Sequence, residues 1–216
     1  MTKQATRTQS RVVAALDVGA VRNIGWWHLV DDTASDGTDL NDLCRRIAED
    51  LAAGRQVALG FEAPLWIPRA SEIAMLGRAR QGDGNRAWSA GAGPSVLATG
   101  LQQATFVLDQ LMATGGCVPV GLDPVGWLRG DFQLLLWEAF VSATAKDRTA
   151  ENPHVSDARA AVEAFCQRIA QGSPTSDCDP DQVISLLGAA LLVSRMTDDL
   201  SVMGEAALVV KVNAPT

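Results

Sequence analysis

RVVAALDVGAVRNIGWWHLV, residues 11–30, reads as a β-hairpin whose first strand ends on an acid. Residues 12–16 form an uninterrupted apolar run, the pattern of a strand covered on both faces of a sheet. Asp17 closes the run. An ionised carboxylate at the end of a central strand needs a metal ion, a basic partner or water beside it, because an unpaired buried charge is strongly disfavoured. Gly19 and the polar pair Arg22-Asn23 interrupt the pattern, and residues 24–30 resume as a second strand.

Outward from the hairpin, residues 31–39 (DDTASDGTD) read as a polar turn with no clear third strand. Leu40, Leu43, Ile47 and Leu51 recur at helical spacing, and Gly54 supplies a C-cap. Residues 56–61 are a second short apolar strand, and Glu62 follows it as Asp17 follows the first. Pro64 then stops further pairing. Residues 68–94 are irregular. A short helix is expected over 71–79 behind Ser71 as N-cap, and the Gly-rich segment beyond it is the kind of long loop that is functional or disordered. Helical spacing covers 96–112, ended by Gly115-Gly116. Strands are expected over 117–122 and 134–141, the latter enclosing Glu138, and an amphipathic helix over 156–170. Asp179-Pro180-Asp181-Gln182 has the form of a helix start, with Asp at the N-cap, Pro at N1 and Gln closing a capping box. That helix is expected to run to about residue 196, and a last strand to occupy 206–212. A hairpin followed by strands alternating with helices gives an α/β class with a mixed sheet.

The chain has 216 residues, nearly half of them hydrophobic, which suits one α/β domain over 11–216 with a long Gly/Arg-rich insertion at about 66–95. Residues 1–10 read as a disordered lead without a signal-type apolar region, so a cytoplasmic protein is expected, with no membrane span. The four cysteines are scattered with no CxxC pair, and the two histidines, His28 and His154, cannot build a His-rich site. Metal chemistry here is therefore carboxylate chemistry, which favours Mg²⁺ or Mn²⁺ over Zn²⁺. A net charge of −7 counts against a large nucleic-acid face. Basic charge is local: Arg69, Arg78, Arg80 and Arg86 outnumber Glu72 and Asp83, leaving residues 69–86 at +2. These arginines are the candidate substrate-binding residues for a phosphate backbone, or else a solvated surface.

If the strands ending in Asp17 and Glu62 are neighbours, their carboxylates meet at one sheet edge. Asp181, in the first turn of the last helix, is the third candidate, and Ser185 and Gly188 are small enough to let that helix end approach. Acids are favoured in a first helical turn by the dipole alone. Asp157 competes with Asp181 for the helix-borne position, although Ser156-Asp157 also reads as a plain helix start. Converging carboxylates would repel unless a divalent cation sat among them.

At these residues the sequence resembles a family. Leu16-Asp17-Val18-Gly19 followed by Ile24-Gly25-Trp26 resembles the first motif of RNase H-like nucleases, particularly the Holliday-junction-resolvase relatives. The closer likeness is to an uncharacterised family of nucleases predicted to share that fold. Phe61-Glu62-Ala63-Pro64-Leu65, the aromatic-Glu pair Trp137-Glu138, and the Asp-led segment Asp181-Gln182-Val183 resemble its later motifs. The likeness implies an RNase H-like fold in which Asp17, Glu62 and Asp181 ligate Mg²⁺ or Mn²⁺, Asp17 bridging two ions, with Glu138 as a fourth catalytic acid. It also implies cleavage of phosphodiester bonds in nucleic acid, and a homodimer if the activity is resolvase-like. The chain departs from the family in lacking a clear third antiparallel strand, and its last helix starts Asp-Gln-Val where Asp-Ala-Leu is common. The alternative is a non-catalytic domain of the same fold that binds a protein partner or a small anionic ligand. Asp17-x-Gly19 with Gly25 is also similar to the first phosphate motif of actin-like ATPases and sugar kinases, but those need two such domains and this chain is too short for both.

Overall fold

The hairpin expected from residues 11–30 is present in the computed structural model, which describes residues 11–84, 87–142, 145–147, 149–172 and 174–212. In chain order the elements are β1 (Arg11–Asp17), β2 (Gly25–Val30), β3 (Thr33–Gly37), α1 (Leu40–Ala52), β4 (Gln56–Phe61), β5 (Trp66–Pro68) and α2 (Gly93–Gly115). They continue with β6 (Val120–Gly121), α3 (Pro124–Arg129), β7 (Leu134–Val141), α4 (Pro153–Ala170), β8 (Val183–Ser185), α5 (Leu186–Val193) and β9 (Val209–Val212). Strands β3-β2-β1-β4-β7-β6 form one mixed sheet, and β9 joins it as its seventh strand by pairing with β7. The β3-β2-β1 side is antiparallel, and the β1-β4-β7 side with β6 and β9 is parallel. The class is α/β, with helices on both faces.

Side-chain alternation sends each central strand into two cores. Val12, Ala14 and Leu16 of β1 pack with α1, α2 and α5 through Leu43, Ile47, Val107, Leu108 and Leu187. Val13 and Ala15 pack on the other face with α3 and α4 through Trp127, Ala158, Val162 and Phe165. Phe165 stacks on Trp137 at 4.5 Å between ring centroids, at an angle of 29°. Both faces of β1 and β4 are covered, which is why these strands read as continuous apolar runs. Among the described residues no helix is long and apolar enough to cross a membrane.

Several elements differ from the sequence reading. Residues 33–37 are a third antiparallel strand, β3, where a turn was expected. TASDG has no apolar alternation because β3 is an edge strand held by its ladder to β2. Gly37 lies under the Trp26 indole, where a Cβ would come within 2.6 Å of the ring. The expected helix over 71–79 is a single 3-10 turn, Ile73–Met75. The strand expected over 117–122 shrinks to β6, and that over 206–212 begins only at Val209.

The helix expected from Asp179 does not start there. Residues 183–185 pair antiparallel with β5 as a separate two-stranded sheet, and α5 begins only at Leu186, with the Ser185 hydroxyl accepting from the Gly188 N–H at 3.0 Å. A tertiary strand pair overrides a capping signal worth about 1 kcal/mol. The expected disordered lead, 1–10, lies outside the described residues.

Gly25 fixes how closely α4 approaches the hairpin. It pairs with Asp17 in the ladder, and a Cβ there would lie 2.3 Å from the His154 carbonyl carbon and 2.4 Å from the Val155 nitrogen. Neither backbone atom can yield without moving α4. Gly25→Ala should destabilise the protein by about 1–3 kcal/mol in urea unfolding, the usual cost of overpacking. Gly115→Ala, in open space at the end of α2, should leave stability equal or slightly higher.

Candidate metal centre

Leu16 of β1 stands opposite Phe61 of β4 in parallel register, and the Glu62 N–H donates to the Leu16 carbonyl at 2.8 Å. The chain thus leaves β4 level with Asp17, and the Asp17 and Glu62 carboxyls hydrogen-bond to each other. The third acid comes from α4, whose start is set by Pro153 at N1 and by Asn152, its side chain accepting from the His154 and Val155 N–H groups at 3.1 and 3.2 Å. Asp157 on that helix completes the cluster. Asp17, Glu62 and Asp157 each offer an oxygen within 4.8 Å of the other two.

Two nitrogenous side chains meet these acids. The Lys146 ammonium lies 3.1 Å from Glu62 Oε1 and also pairs with Asp157 Oδ2. His154 Nδ1 lies 2.5 Å from Asp17 Oδ2. Burial pushes the Glu62 carboxyl well above the ordinary carboxylic range, and the neighbouring Asp17 raises it further. Burial raises Asp17 too, although the hydrogen bond from Glu62 and the charge of Lys146 oppose the rise. Burial alone would lower Lys146, but the charge of Glu62 and the bond to Asp157 outweigh it and hold the ammonium protonated.

The structure brings together two of the three expected ligands and replaces the third. Asp181 is exposed, lies ahead of β8 rather than on a helix, and is absent from the acid cluster among the described residues. Asp157 stands in its place. Glu138 does not join the cluster either. It is fully buried, receives bonds from Arg80 at 2.7 and 2.8 Å, and accepts the Leu65 N–H at 2.9 Å. Its work is to hold the segment that follows Glu62.

Arg80 was expected at a substrate's phosphates, but it is buried, ion-paired to Asp83 and Glu138, and lies over the Trp66 ring at 4.6 Å. Arg69 and Arg78 are exposed, and Arg86 lies outside the described residues. The loop beyond β5 is thus anchored at Arg80 and Asp83. Trp88 ties it again, donating to the Arg78 carbonyl at 2.9 Å. The sequence reading gave Lys146 and His154 no role. A lone basic residue in a polar loop carries no pattern, and the only available sign was that both precede or begin the helix bearing Asp157.

A cavity of about 220 Å³ adjoins the acids, with Glu62 in its wall beside Pro64, Ala87, Gly91, Val96 and Phe140. No family model, curated protein or solved structure matches the chain. The donor set is what tests the expected metal. Three hard carboxylate oxygens within bridging distance suit Mg²⁺ or Mn²⁺, and no cysteine joins them to favour a softer ion.

Two outcomes follow from these interactions. Arg80→Met leaves Glu138 buried without its partner and should cost about 3–5 kcal/mol, while adding Glu138→Met should recover most of the loss. Urea denaturation of both variants checks this. For Glu62, a carboxyl raised in the folded chain binds its proton more tightly there than in the unfolded chain. Its contribution is fully present below the ordinary glutamate value of about 4.3 and is lost as pH rises through the raised value. The metal-free protein should therefore lose thermal stability as pH climbs above the ordinary carboxylate range, and Glu62→Gln should flatten that decline.

Proposed function

We propose that the chain is a divalent-metal-dependent nuclease of RNase H-like fold, hydrolysing phosphodiester bonds at Asp17, Glu62 and Asp157. The observation that carries the reading is the convergence of three carboxylates from the ends of β1 and β4 and from the helix after β7. The strand order supports the fold: an antiparallel β3-β2-β1 side continued by parallel β4 and β7. β3 is the third antiparallel strand whose absence from the sequence reading had set the chain apart from that family.

In this reading the three acids would hold Mg²⁺ or Mn²⁺, which would supply water activation and charge stabilisation at the leaving oxygen. Asp17 is backed by His154, and Glu62 is set by the Leu16 carbonyl and by the Glu138-Leu65 bond behind it. Glu62 must give up its proton for the ion to bind, so affinity falls with falling pH. With a net charge of −7 and Arg80 withdrawn into the core, the surface favours a short or single-stranded substrate over a long duplex. A second reading, a non-catalytic domain that binds a protein partner or a small anionic ligand, draws on the Lys146 ammonium already seated on two of the acids.

Calorimetric titration with Mn²⁺, followed by cleavage assays on short oligonucleotides, decides between them. Asp17→Asn and Asp157→Asn should each weaken Mn²⁺ binding by more than the ~10–100-fold that loss of an outer partner costs, and should abolish cleavage. Asp181→Asn should leave both unchanged. Full activity in Asp17→Asn would overturn the nuclease reading.

A further inference from the structure

We propose that Lys146 is the resident counter-ion of the acid cluster, and that a divalent cation enters the site by displacing its ammonium. The inference rests on the metal-centre reading above and concerns how that centre is filled.

The geometry makes the two occupants exclusive. Lys146 Nζ is 3.1 and 3.4 Å from the two Glu62 oxygens and bonds to Asp157 Oδ2. A magnesium ion bound by those oxygens would sit about 2.0–2.1 Å from each of them, in the space the ammonium nitrogen occupies. Like charge disfavours sharing, because both cations would compete for the same oxygens of Glu62 and Asp157. The three acids carry up to three negative charges, faced by the Lys146 ammonium on Glu62 and Asp157 and by the His154 ring on Asp17.

The lysine is also placed to leave. It belongs to the connection between β7 and α4 rather than to the sheet, and its side chain is 27 % exposed while those of Glu62 and Asp157 are 12 % and 4 % exposed. Its neighbour Asp147 closes a local turn by accepting the Thr149 N–H at 2.9 Å, with no bond to the cluster. A flexible four-carbon stem can swing the ammonium into solvent without moving a strand. Asp17, Glu62 and Asp157, by contrast, are set by ladder and helix, while the lysine reaches them from a connecting segment. Lys146 thus protects the fold from its own acids when no metal is bound, and sets a threshold below which metal does not enter.

The test is Mn²⁺ calorimetry on wild type, Lys146→Met and Lys146→Arg, the first variant keeping the apolar stem. Lys146→Met should bind Mn²⁺ at least about tenfold more tightly than wild type, because no ammonium has to leave, and its metal-free form should melt lower. Lys146→Arg, whose guanidinium fork holds carboxylates more firmly, should bind no better than wild type. Equal or weaker binding in Lys146→Met beside a wild type that binds overturns the exchange and leaves the metal centre standing. No binding in any of the three removes the metal centre and the exchange together.

A second measurement needs no variant. The chain has three lysines, Lys3, Lys146 and Lys211, so mass spectrometry resolves each after brief acylation of the wild-type protein. Mg²⁺ at saturating concentration should speed acylation of Lys146 and leave Lys211 unchanged. An unchanged Lys146 rate while calorimetry records bound metal overturns the proposal.

Discussion

Two carboxylates forced side by side at the ends of adjacent parallel strands are the constraint on which this structure turns. Asp17 and Glu62 do not meet by chance of rotamer. The β1–β4 ladder and the bond from the Glu62 N–H to the Leu16 carbonyl place their backbones level, and hydrophobic cores on both faces of the sheet lock the strands. The repulsion is then met by what surrounds the pair: burial that raises the Glu62 carboxyl, the His154 ring on Asp17, and the Lys146 ammonium between Glu62 and Asp157. These partners leave the three acids close together without strand or helix having to move.

Behind the acids lies a second buried ionic group with a different purpose. Arg80, Asp83 and Glu138 satisfy one another almost completely, and together they pin the loop after β5 and the turn after β4. The Arg80 fork gives hydrogen bonds to both carboxylates, and burial strengthens them. The acid cluster instead sets three acids against one lysine and has a cavity beside Glu62. The contrast separates Glu138, whose partners hold the turn after β4, from Asp17 and Glu62, although all three end or interrupt apolar strands.

The core strands and long helices were legible in the sequence because their signals are local. Residues 56–61 and 134–141 are strands at those very bounds, and the helices near 40–51 and 96–112 appear with small extensions, since apolar periodicity survives whatever packs against it. Where the reading failed, a distant partner decided. TASDG becomes a strand by pairing with β2, and residues 183–185 become one by pairing with β5, against a strong helix-start signal. Arg80 resembled a surface arginine because nothing local announces that Glu138, far along the chain, waits for it.

By itself, then, the amino-acid sequence determined the α/β alternation and the two strands at whose ends Asp17 and Glu62 stand. Periodicity and residue type carry that information, and both are properties of short segments. Only the tertiary structure decided which helix delivers the third acid, that Glu138 faces Arg80 rather than Asp17, and that Lys146 lies on the cluster. Those outcomes depend on which elements become neighbours in space. The side chain that meets Asp17 and Glu62 comes from about a hundred residues away or more, a separation across which no local pattern in the chain can tell Asp157 from Asp181.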